Sequence, residues 1–348
     1  MSDGGVTREE QLRDVLAAFG VQAASVRDVR TGRVNRHWRI AATDGPEYAL
    51  RRYASPPHAW RIRSREAIAF EHDALRHAAS KGWPAPVPID ARSGSTLVER
   101  DGDLYALFPW HEGRPAPAHS KRYLRIKGRL LARLHRDMAT FGLGEQRLGF
   151  ARMWELDYYM GSPRPFNDML REFEKAHRAD ASAVRAQRYR NLRELSRFGY
   201  GELPEQFGHF DFHRDNLLFS QGQLTGLIDF DSAHLDARVA DIATSVALDC
   251  IEPPAYNAID PDAMRAFVAG YVEGSPLSEQ ELALIVPLVR SWIVAAAAGR
   301  IAQWLAAPDE KVLMKIRRTV DYRIPAFEQR RQAMEQAVRS AAAERTRA

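Results

Sequence analysis

The segment His209–Asp231, HFDFHRDNLLFSQGQLTGLIDFD, is the most informative stretch of this chain. Its first eight residues include two histidines, two aspartates and an asparagine, and an apolar run, a Gln-Gly turn and a second apolar run follow. The pattern predicts a β-hairpin that gathers carboxylates and a carboxamide at one end. Carboxylates crowded together repel one another unless a cation neutralises them. Asn and Asp oxygens suit Mg²⁺, which binds one or two carboxylates together with phosphate oxygens of a substrate.

The spacing of these polar residues matches a phosphoryl-transfer site. Protein kinases carry H-R-D-x-x-x-x-N followed by a D-F-G aspartate. Here Asp211 precedes Asn216 by the same interval, and Asp229 stands in the place of the later aspartate. We therefore expect Asp211 to accept or orient the proton of an acceptor hydroxyl, and Asn216 and Asp229 to hold Mg²⁺ between the β- and γ-phosphates. His209 is the second candidate for the catalytic site, and we expect it to support the loop that carries Asp211.

The same segment resembles the aminoglycoside phosphotransferase and choline kinase-like family of small-molecule kinases. That family carries H-G-D-x-H-x-x-N, then I-D-[FW] and a downstream D-[LIV]-A. This chain has His209-x-Asp211-x-His213-x-x-Asn216, then Ile228-Asp229-Phe230 and Asp241-Ile242-Ala243. The resemblance extends over roughly residues 26–305 and rests on the order of several motifs. It makes His213, Asp231 and Asp241 candidates for support of the site.

Further motifs extend the resemblance toward the N-terminus. The segment Gly32-Arg33-Val34-Asn35 resembles the family's nucleotide-covering loop, and Tyr48–Arg51 stands where its phosphate-contacting lysine strand is expected. Glu71 is placed like the helix glutamate that pairs with that lysine, and Tyr105–Gly113 resembles the hinge. The resemblance therefore implies an ATP or GTP site formed with Arg51, Glu71, Gly32, Asn35, Phe108 and Trp110.

Two positions depart from the family pattern. Phe210 replaces the glycine after the histidine, which is tolerated if the backbone there does not require a positive φ. Arg51 replaces the lysine, and because a guanidinium is planar and always charged, phosphate binding survives with a changed geometry. Arg52 is adjacent but should point to the opposite face of the strand. We therefore favour Arg51 over Arg52 as the phosphate contact.

The distribution of turn signals and periodicities predicts an α+β, two-lobed protein-kinase-like fold. Alternating apolar stretches with Asp-Gly turns, and one helix over Ser64–Lys81, predict a β-rich N-terminal lobe. Beyond Gly113 the apolar periodicity is mainly helical. We predict an N-terminal nucleotide-binding lobe over 1–107, a hinge over 108–113, a helical lobe with the catalytic loop and acceptor site over 114–330, and a charged, frayed tail over 331–348.

Composition narrows the class of protein. The single cysteine, Cys250, excludes an intrachain disulfide. We expect neither a membrane-spanning run nor a signal peptide, and hence a cytoplasmic protein without a membrane partner. The net charge of +5 points to an anionic ligand, which the motifs identify as a nucleoside triphosphate. We expect no nucleic-acid partner, because the basic residues do not form an aromatic-interleaved patch.

The acceptor is constrained only by charge. Eight acidic residues and one basic residue lie between Ala240 and Leu282, which would favour a cationic or polyhydroxylated acceptor. The alternative is that most of these carboxylates cap helices or face solvent. We expect a kinase that phosphorylates an antibiotic or a related natural product. The alternatives are a kinase of a primary metabolite such as homoserine, choline or a sugar, and a catalytically inactive kinase-like scaffold or binding protein.

Several residues have a second interpretation. On a strand, His209, Asp211 and His213 would share one face and could bind zinc. Asp231 is either a second metal ligand or a helix N-cap, and Asp241 is expected to cap a helix or anchor a loop. The basic residues of one amphipathic helix are expected to form a solvated face: Lys121, Arg122, Arg125, Lys127, Arg129 and Arg133.

Overall fold

A computed structural model describes residues 8–29, 35–53, 64–143, 147, 150, 152–153, 166–252 and 258–346. The chain divides into two compact units. The first unit comprises Met1–Arg114 with Leu218–Ile228, and the second comprises Pro115–Leu217 with Asp229–Ala348. The first is rich in strands and the second is mainly helical, so the predicted α+β class with a smaller β-rich part and a larger helical part is confirmed.

The first unit is built on an antiparallel five-stranded sheet with the strand order β1-β2-β3-β5-β4. Its hairpins turn at the two predicted Asp-Gly pairs, Asp44-Gly45 and Asp101-Gly102. The elements are α1 (Arg8–Ala18), β1 (Ala23–Val29), β2 (Arg36–Ala42), β3 (Glu47–Arg52), α2 (Arg65–Ser80), β4 (Val98–Arg100) and β5 (Asp103–Pro109). A second sheet has the order β6-β8-β9, from the short strand β6 (Arg114–Pro115), β8 (Leu217–Ser220) and β9 (Gln223–Leu227).

The two faces of strand β3 have different surroundings because successive side chains on a strand point in opposite directions. Leu50 is fully buried in an apolar cluster with Leu16 of α1 and Leu107 of β5. The next residue, Arg51, makes an ion pair with Glu71 of α2 instead. Strand β3 therefore contributes to the core with one face and to a polar contact with the other.

The second unit consists mainly of helices. They are α3 (Lys121–Asp137), α4 (Phe166–Glu174), α5 (Arg178–Arg197), α6 (Arg238–Asp249), α7 (Pro261–Gly274), α8 (Glu279–Ala306), α9 (Glu310–Arg318) and α10 (Ile324–Thr346). Strands β7 (Gln206–Gly208) and β10 (His234–Asp236) pair antiparallel, with His234 opposite Gly208. This pairing brings the start of the segment after β7 next to the end of the segment before β10.

We expected no apolar segment as long as a membrane span, and helix α8 shows that this expectation was wrong. Its 28 residues are long and apolar enough by composition, yet 78% of its most apolar window is buried inside the protein. The helix packs against α4, α5, α6, α9 and α10. Its buried arginine, Arg290, makes ion pairs with Glu194 at 3.2 Å and Glu328 at 3.4 Å. Helix α8 is therefore the core helix of the second unit.

The C-terminal segment differs from the frayed tail expected over 331–348. Helix α10 continues to Thr346, and Met334, Val338 and Ala341 along it are buried. Their three- and four-residue spacing places them on one face of the helix. Glu344 pairs with Arg125 at 3.2 Å and with a second arginine at 2.8 Å, so polar contacts also secure the last turns.

Helix α3 presents five of its six predicted basic residues at the surface, and only Lys127 among them departs from the solvated face. Lys127 is buried and pairs with a carboxylate of α6, and four of the other five have carboxylate partners at the surface. The surface pairs are Lys121 with Asp262, Arg125 and Arg129 with Glu273, and Arg133 with Asp137. Their charges are therefore largely matched by carboxylates of the same unit.

Two glycines allow helices α3 and α7 to cross at close range. A Cβ atom on Gly128 would lie 2.1 Å from the carbonyl oxygen of Phe267, and one on Gly270 would lie 2.0 Å from that of Arg125. Such contacts are with backbone, which cannot rotate away. Any residue larger than glycine at either position would therefore force the two helices apart.

We predict that Gly270→Ala lowers the free energy of unfolding by an amount at the upper end of the ~1–3 kcal/mol typical of overpacking. The measurement is equilibrium unfolding in urea. Gly274→Ala on the same helix is the milder comparison, because its Cβ would lie 3.0 Å from the Cβ of Ala132 and 3.8 Å from the carbonyl oxygen of Arg129. We expect the higher helix propensity of alanine to offset these contacts. Equal stability of Gly270→Ala and wild type would show that the helices separate without cost.

Candidate active site

The loop that follows β7 (residues 209–216, called loop 209–216 below) is not a strand, so the alternating arrangement needed by the zinc interpretation does not form. His209 is fully buried, with its ring centroid 4.8 Å from that of Phe230 and 5.7 Å from that of Phe212. Its Nδ1 accepts a hydrogen bond from the backbone N–H of Asp211 at 3.3 Å. His209 thus holds the backbone on which Asp211 is mounted.

Phe210 does not meet the condition under which it would replace glycine without strain. Its φ of 55° lies in the left-handed region, where glycine is favoured. The ring stacks on that of His234, with centroids 3.8 Å apart and planes inclined by 24°. It also approaches Gly208 so closely that a Cβ there would lie 2.5 Å from a ring carbon. Aromatic packing therefore offsets a backbone strain on the order of 1–3 kcal/mol.

Asp211 and Asn216 are brought together by the fold. The Nδ2 of Asn216 donates to the carbonyl oxygen and to Oδ2 of Asp211, both at 2.9 Å. Because the amide nitrogen is directed at Asp211, the amide oxygen of Asn216 points away from it. The pair thus presents a half-buried carboxylate and a carboxamide oxygen, which is a donor set suited to a hard cation such as Mg²⁺.

His213 lies on the other side of the Asp211 carboxylate. Its Nε2 is 3.5 Å from Oδ1 of Asp211, and its Nδ1 accepts from the backbone N–H of Asp215 at 3.3 Å. Burial acts to raise the pKa of Asp211, but the contact with His213 and the Asn216 amide hold that pKa below the ordinary aspartate value. Burial lowers the pKa of His213, and the contact with Asp211 outweighs this and raises it. Asp211 is thus favoured as a carboxylate.

Asp229 lies just before the 3-10 turn Phe230–Ser232, with a φ of 64° in the left-handed region. Its side chain does not cap that turn. Arg147 secures the turn, because one of its nitrogens donates to the carbonyl oxygens of Phe230 at 3.3 Å, Asp231 at 3.0 Å and Ala233 at 2.6 Å. Asp231 therefore contributes a backbone carbonyl to this clamp, and it does not cap an α-helix, since α6 begins after Ala237.

Asp241 anchors loop 209–216, which is one of the two roles expected for it from the sequence. Its carboxylate accepts the backbone N–H groups of His209 at 2.6 Å and Phe210 at 2.9 Å. It also contacts Nε2 of His135 at 3.1 Å, and the Nδ1 of that histidine is 2.8 Å from the hydroxyl of Tyr271. Burial alone would raise the pKa of Asp241, but these partners hold it below its ordinary value. A buried anion thus fixes the start of the loop.

In the first unit, the structure brings together Arg51 and Glu71. Nη1 of Arg51 is 2.8 Å from Oε1 of Glu71, and the two side chains are only 6% and 1% exposed. Arg52 points to the other face of the strand and pairs with Asp103 at 2.9 Å. The ion pair that the resemblance implied between this strand and helix α2 is therefore present, with Arg51 as its cation.

The other residues predicted to bind nucleotide lie at or next to strands β2 and β5, apart from Gly32. Phe108 is buried near the end of β5, and Trp110 follows that strand with its backbone N–H donating to the carbonyl oxygen of Glu47 at 3.0 Å. The guanidinium of Arg39 lies 4.5 Å from the centroid of the Trp110 ring. Asn35 is buried just before β2. Gly32 lies outside the residues that the structure describes.

The acidic excess between Ala240 and Leu282 is largely explained by contacts within the protein. Besides Asp241, six of these carboxylates pair with a basic side chain or bind a backbone N–H at a helix start. The contacts are Asp249 with Lys127, Glu252 with Arg330, Asp260 with the N–H of Asp262, Asp262 with Lys121, Glu273 with Arg125 and Arg129, and Glu281 with Arg238. This excess therefore gives no support to a cationic acceptor.

Several residues that shape the site were missed by the sequence analysis. Arg147 clamps the turn after Asp229, and Ser245 and Asp249 of α6 bind the backbone of loop 209–216. The spacing of Asp241, Ser245 and Asp249 at four-residue intervals was a usable signal, because it places three hydrogen-bonding groups on one helix face. Arg147 carried no such signal.

These features define a class of protein: a kinase-like small-molecule phosphotransferase. A model of the phosphotransferase enzyme family matches residues 25–277, and the chain belongs to that family. It is accordingly an enzyme that transfers phosphate to an alcohol group. The resemblance inferred from the motifs is thereby confirmed.

Curated relatives and solved structures agree with this assignment. The chain is 28% identical over 305 residues to a homoserine kinase of Phenylobacterium zucineum, covering 86% of this chain and 87% of the relative. It is 32% identical over 237 residues to a homoserine kinase of Beijerinckia indica, covering 67% and 68%. The fold is similar to an amicoumacin kinase in complex with AMP-PNP and Ca²⁺ (TM-score 0.69, 15% identity, 92% and 93% covered). It is equally similar to a microcompartment-associated aminopropanol kinase (TM-score 0.69, 17% identity, 93% and 98% covered).

We predict that Gly208 and Phe210 are energetically coupled. Gly208→Ala should lower the free energy of unfolding because the added methyl meets the Phe210 ring, which the His234 ring prevents from retreating. In a Phe210→Gly background the same substitution should cost much less. The double-mutant cycle in urea should give a coupling of ~1–3 kcal/mol. Additive effects would mean that the ring and the glycine do not constrain each other.

Proposed function

We propose that this protein is an ATP- or GTP-dependent kinase that transfers the γ-phosphate to a hydroxyl of a small amino alcohol, with homoserine as the first candidate. The observation that carries the kinase part is the bonded pair Asp211 and Asn216, followed by Asp229 in the next turn. Intact Asp211, Asn216 and Asp229 argue against an inactive scaffold, because they are the side chains assigned to the proton and to the metal.

The choice of acceptor departs from the expectation of an antibiotic. Two curated relatives that cover 86% and 92% of this chain are homoserine kinases, whereas the solved antibiotic kinases are too distant to inform on substrate. The carboxylates expected to attract a polycation are engaged in pairs and caps. Both observations favour a small primary metabolite over a polycationic antibiotic.

The roles of the residues follow from their positions. Asp211 would orient the acceptor hydroxyl and take up its proton. As the hydroxyl oxygen bonds to the γ-phosphorus, the bond from that phosphorus to the β–γ bridging oxygen breaks and the nucleoside diphosphate leaves. With its pKa held low, the carboxylate acts chiefly by orientation and accepts the proton late in the reaction. Asn216 and Asp229 would hold Mg²⁺, which neutralises charge on the phosphate oxygens when bound. His209, His213 and Asp241 would keep Asp211 in place, and the protein would act in the cytoplasm.

The acceptor is tested with purified protein, ATP or GTP, Mg²⁺ and a panel of homoserine, choline, aminopropanol, a sugar, amicoumacin and an aminoglycoside. The measurement is nucleoside diphosphate release coupled to mass spectrometry of the phosphorylated product. We expect homoserine or a close amino alcohol to give the highest kcat/KM. Preferential phosphorylation of an antibiotic would overturn the acceptor assignment and leave the kinase assignment intact.

We predict that Asp211→Asn lowers kcat by about 10²–10⁴-fold, the range for loss of a general acid–base group. The side chain keeps its size and can still contact Asn216, so binding of a non-hydrolysable ATP analogue should change little. Asp215→Asn is the matched control, because Asp215 is an exposed aspartate of the same loop. Near-normal turnover by Asp211→Asn would remove Asp211 from its proposed role.

We also predict that Arg51, and not Arg52, contributes to nucleotide affinity. Arg51→Met/Glu71→Gln removes the buried cation without leaving a charged partner behind, and should weaken binding of an ATP analogue at least about tenfold, or ~1.4 kcal/mol. The matched variant Arg52→Met/Asp103→Asn removes the pair on the other strand face and should bind normally. Calorimetric titration measures both. Equal losses in the two variants would contradict the assignment.

A further inference from the structure

One face of helix α6 presents a hydrogen-bonding side chain at every fourth residue, and each binds the backbone of loop 209–216. Asp241 accepts the two N–H groups at the start of the loop. Ser245 donates to the carbonyl oxygen of Phe212 at 2.9 Å, and Asp249 accepts the N–H of Arg214 at 2.8 Å. The loop is therefore held at its beginning, middle and end by a single rigid element.

The last of these contacts is supported by an ion pair from another helix. Nζ of Lys127 on α3 lies 2.5 Å from the same Oδ2 of Asp249 that accepts the Arg214 N–H. The two side chains are 5% and 7% exposed, and the ammonium lies 5.0 Å from the centroid of the Phe267 ring. Water is largely excluded, so the pair is held in one geometry and not screened.

The position of this pair relates it to Asn216. Arg214 opens the 3-10 turn Arg214–Asn216, and Asn216 closes it with its N–H bonded to the carbonyl oxygen of His213 at 3.0 Å. A shift of the Arg214 amide is thus passed to Asn216 within one tight turn. Asp241, at the opposite end of the loop, holds the backbone next to Asp211 instead.

We propose that Lys127 and Asp249 are positioning residues for Asn216, and thereby set the affinity of the site for a divalent cation bound to nucleotide. This inference rests on the proposed function, because it takes Asn216 as a metal ligand. The two ends of α6 then have different roles. Asp241 at one end positions Asp211, and Asp249 with Lys127 at the other end positions the carboxamide of Asn216.

The test replaces the pair with Lys127→Met/Asp249→Leu. Exchanging both members of a buried ion pair for apolar residues of similar volume often leaves stability unchanged, so the variant should fold. It leaves the Arg214 N–H without its acceptor. Lys127→Met/Asp249→Asn restores an acceptor oxygen and should rescue in part. The control, Lys121→Met/Asp262→Leu, removes an exposed pair between helices α3 and α7.

The first measurement is calorimetric binding of a non-hydrolysable ATP analogue with Mg²⁺ and with EDTA. We expect Lys127→Met/Asp249→Leu to bind at least tenfold more weakly with Mg²⁺ and normally with EDTA, while the control matches wild type in both. Equal affinity of variant and wild type with Mg²⁺ would overturn the inference. An equal loss with and without Mg²⁺ would also overturn it, because general damage would then suffice.

The second measurement is hydrogen exchange of the peptide that covers residues 209–216, which needs no nucleotide. We expect faster exchange there in Lys127→Met/Asp249→Leu and unchanged exchange in the control. Unchanged exchange in the double variant would refute the positioning role directly. If exchange rises but wild type itself binds no nucleotide with Mg²⁺, the positioning of the turn is upheld and the proposed function is the part that fails.

Discussion

The candidate site depends on the buried carboxylate of Asp241. Taking an anion out of water costs several kcal/mol unless hydrogen bonds replace its hydration. Here the replacement comes from three parts of the second unit: two N–H groups of loop 209–216, the imidazole of His135 on α3, and through it the hydroxyl of Tyr271 on α7. If the loop moved away, the buried Asp241 carboxylate would lose two of its hydrogen bonds. The carboxylate obtains the others only when α3 and α7 have packed together. The close crossing of those two helices at Gly128 and Gly270 is thus a condition for an ordered loop.

What could be predicted from the sequence was the chemistry set by short-range spacing. Asp211 and Asn216 are five residues apart in one loop, so their contact needs only a local turn, and the pattern was sufficient to expect it. The Asp-Gly hairpins of the first unit were predictable for the same reason. The positive φ at Phe210 was not, because it depends on a ring of β10 that becomes its neighbour only when β7 and β10 pair. Arg147 reaches the turn after Asp229 across more than eighty positions of sequence, and no local pattern marks it.

Charge was the property that the sequence described least well. A stretch counted alone, such as Ala240–Leu282, looks acidic, and helix α3 counted alone looks basic. In the folded unit, these acidic and basic residues form ion pairs with one another. The pairs are Asp249 with Lys127, Asp262 with Lys121, and Glu273 with Arg125 and Arg129. Net charge over a segment predicts a ligand only where the segment's charges have no partner elsewhere in the chain. The pairing of Arg51 with Glu71 was more predictable, because the resemblance implied it from the place of both residues in the ordered motifs.

The apolar helix α8 has a consequence for the order in which the chain is made. Its neighbours α4, α5 and α6 precede it, but α9 and α10 follow it, so two of the surfaces that cover it do not yet exist when it leaves the ribosome. Until α10 has also emerged, Arg290 lacks its partner Glu328, and an apolar surface of membrane-like hydropathy is open to water. A chain truncated after α8 and released from the ribosome would therefore present the kind of segment that chaperones and membrane-targeting factors bind, even though the finished protein keeps it inside.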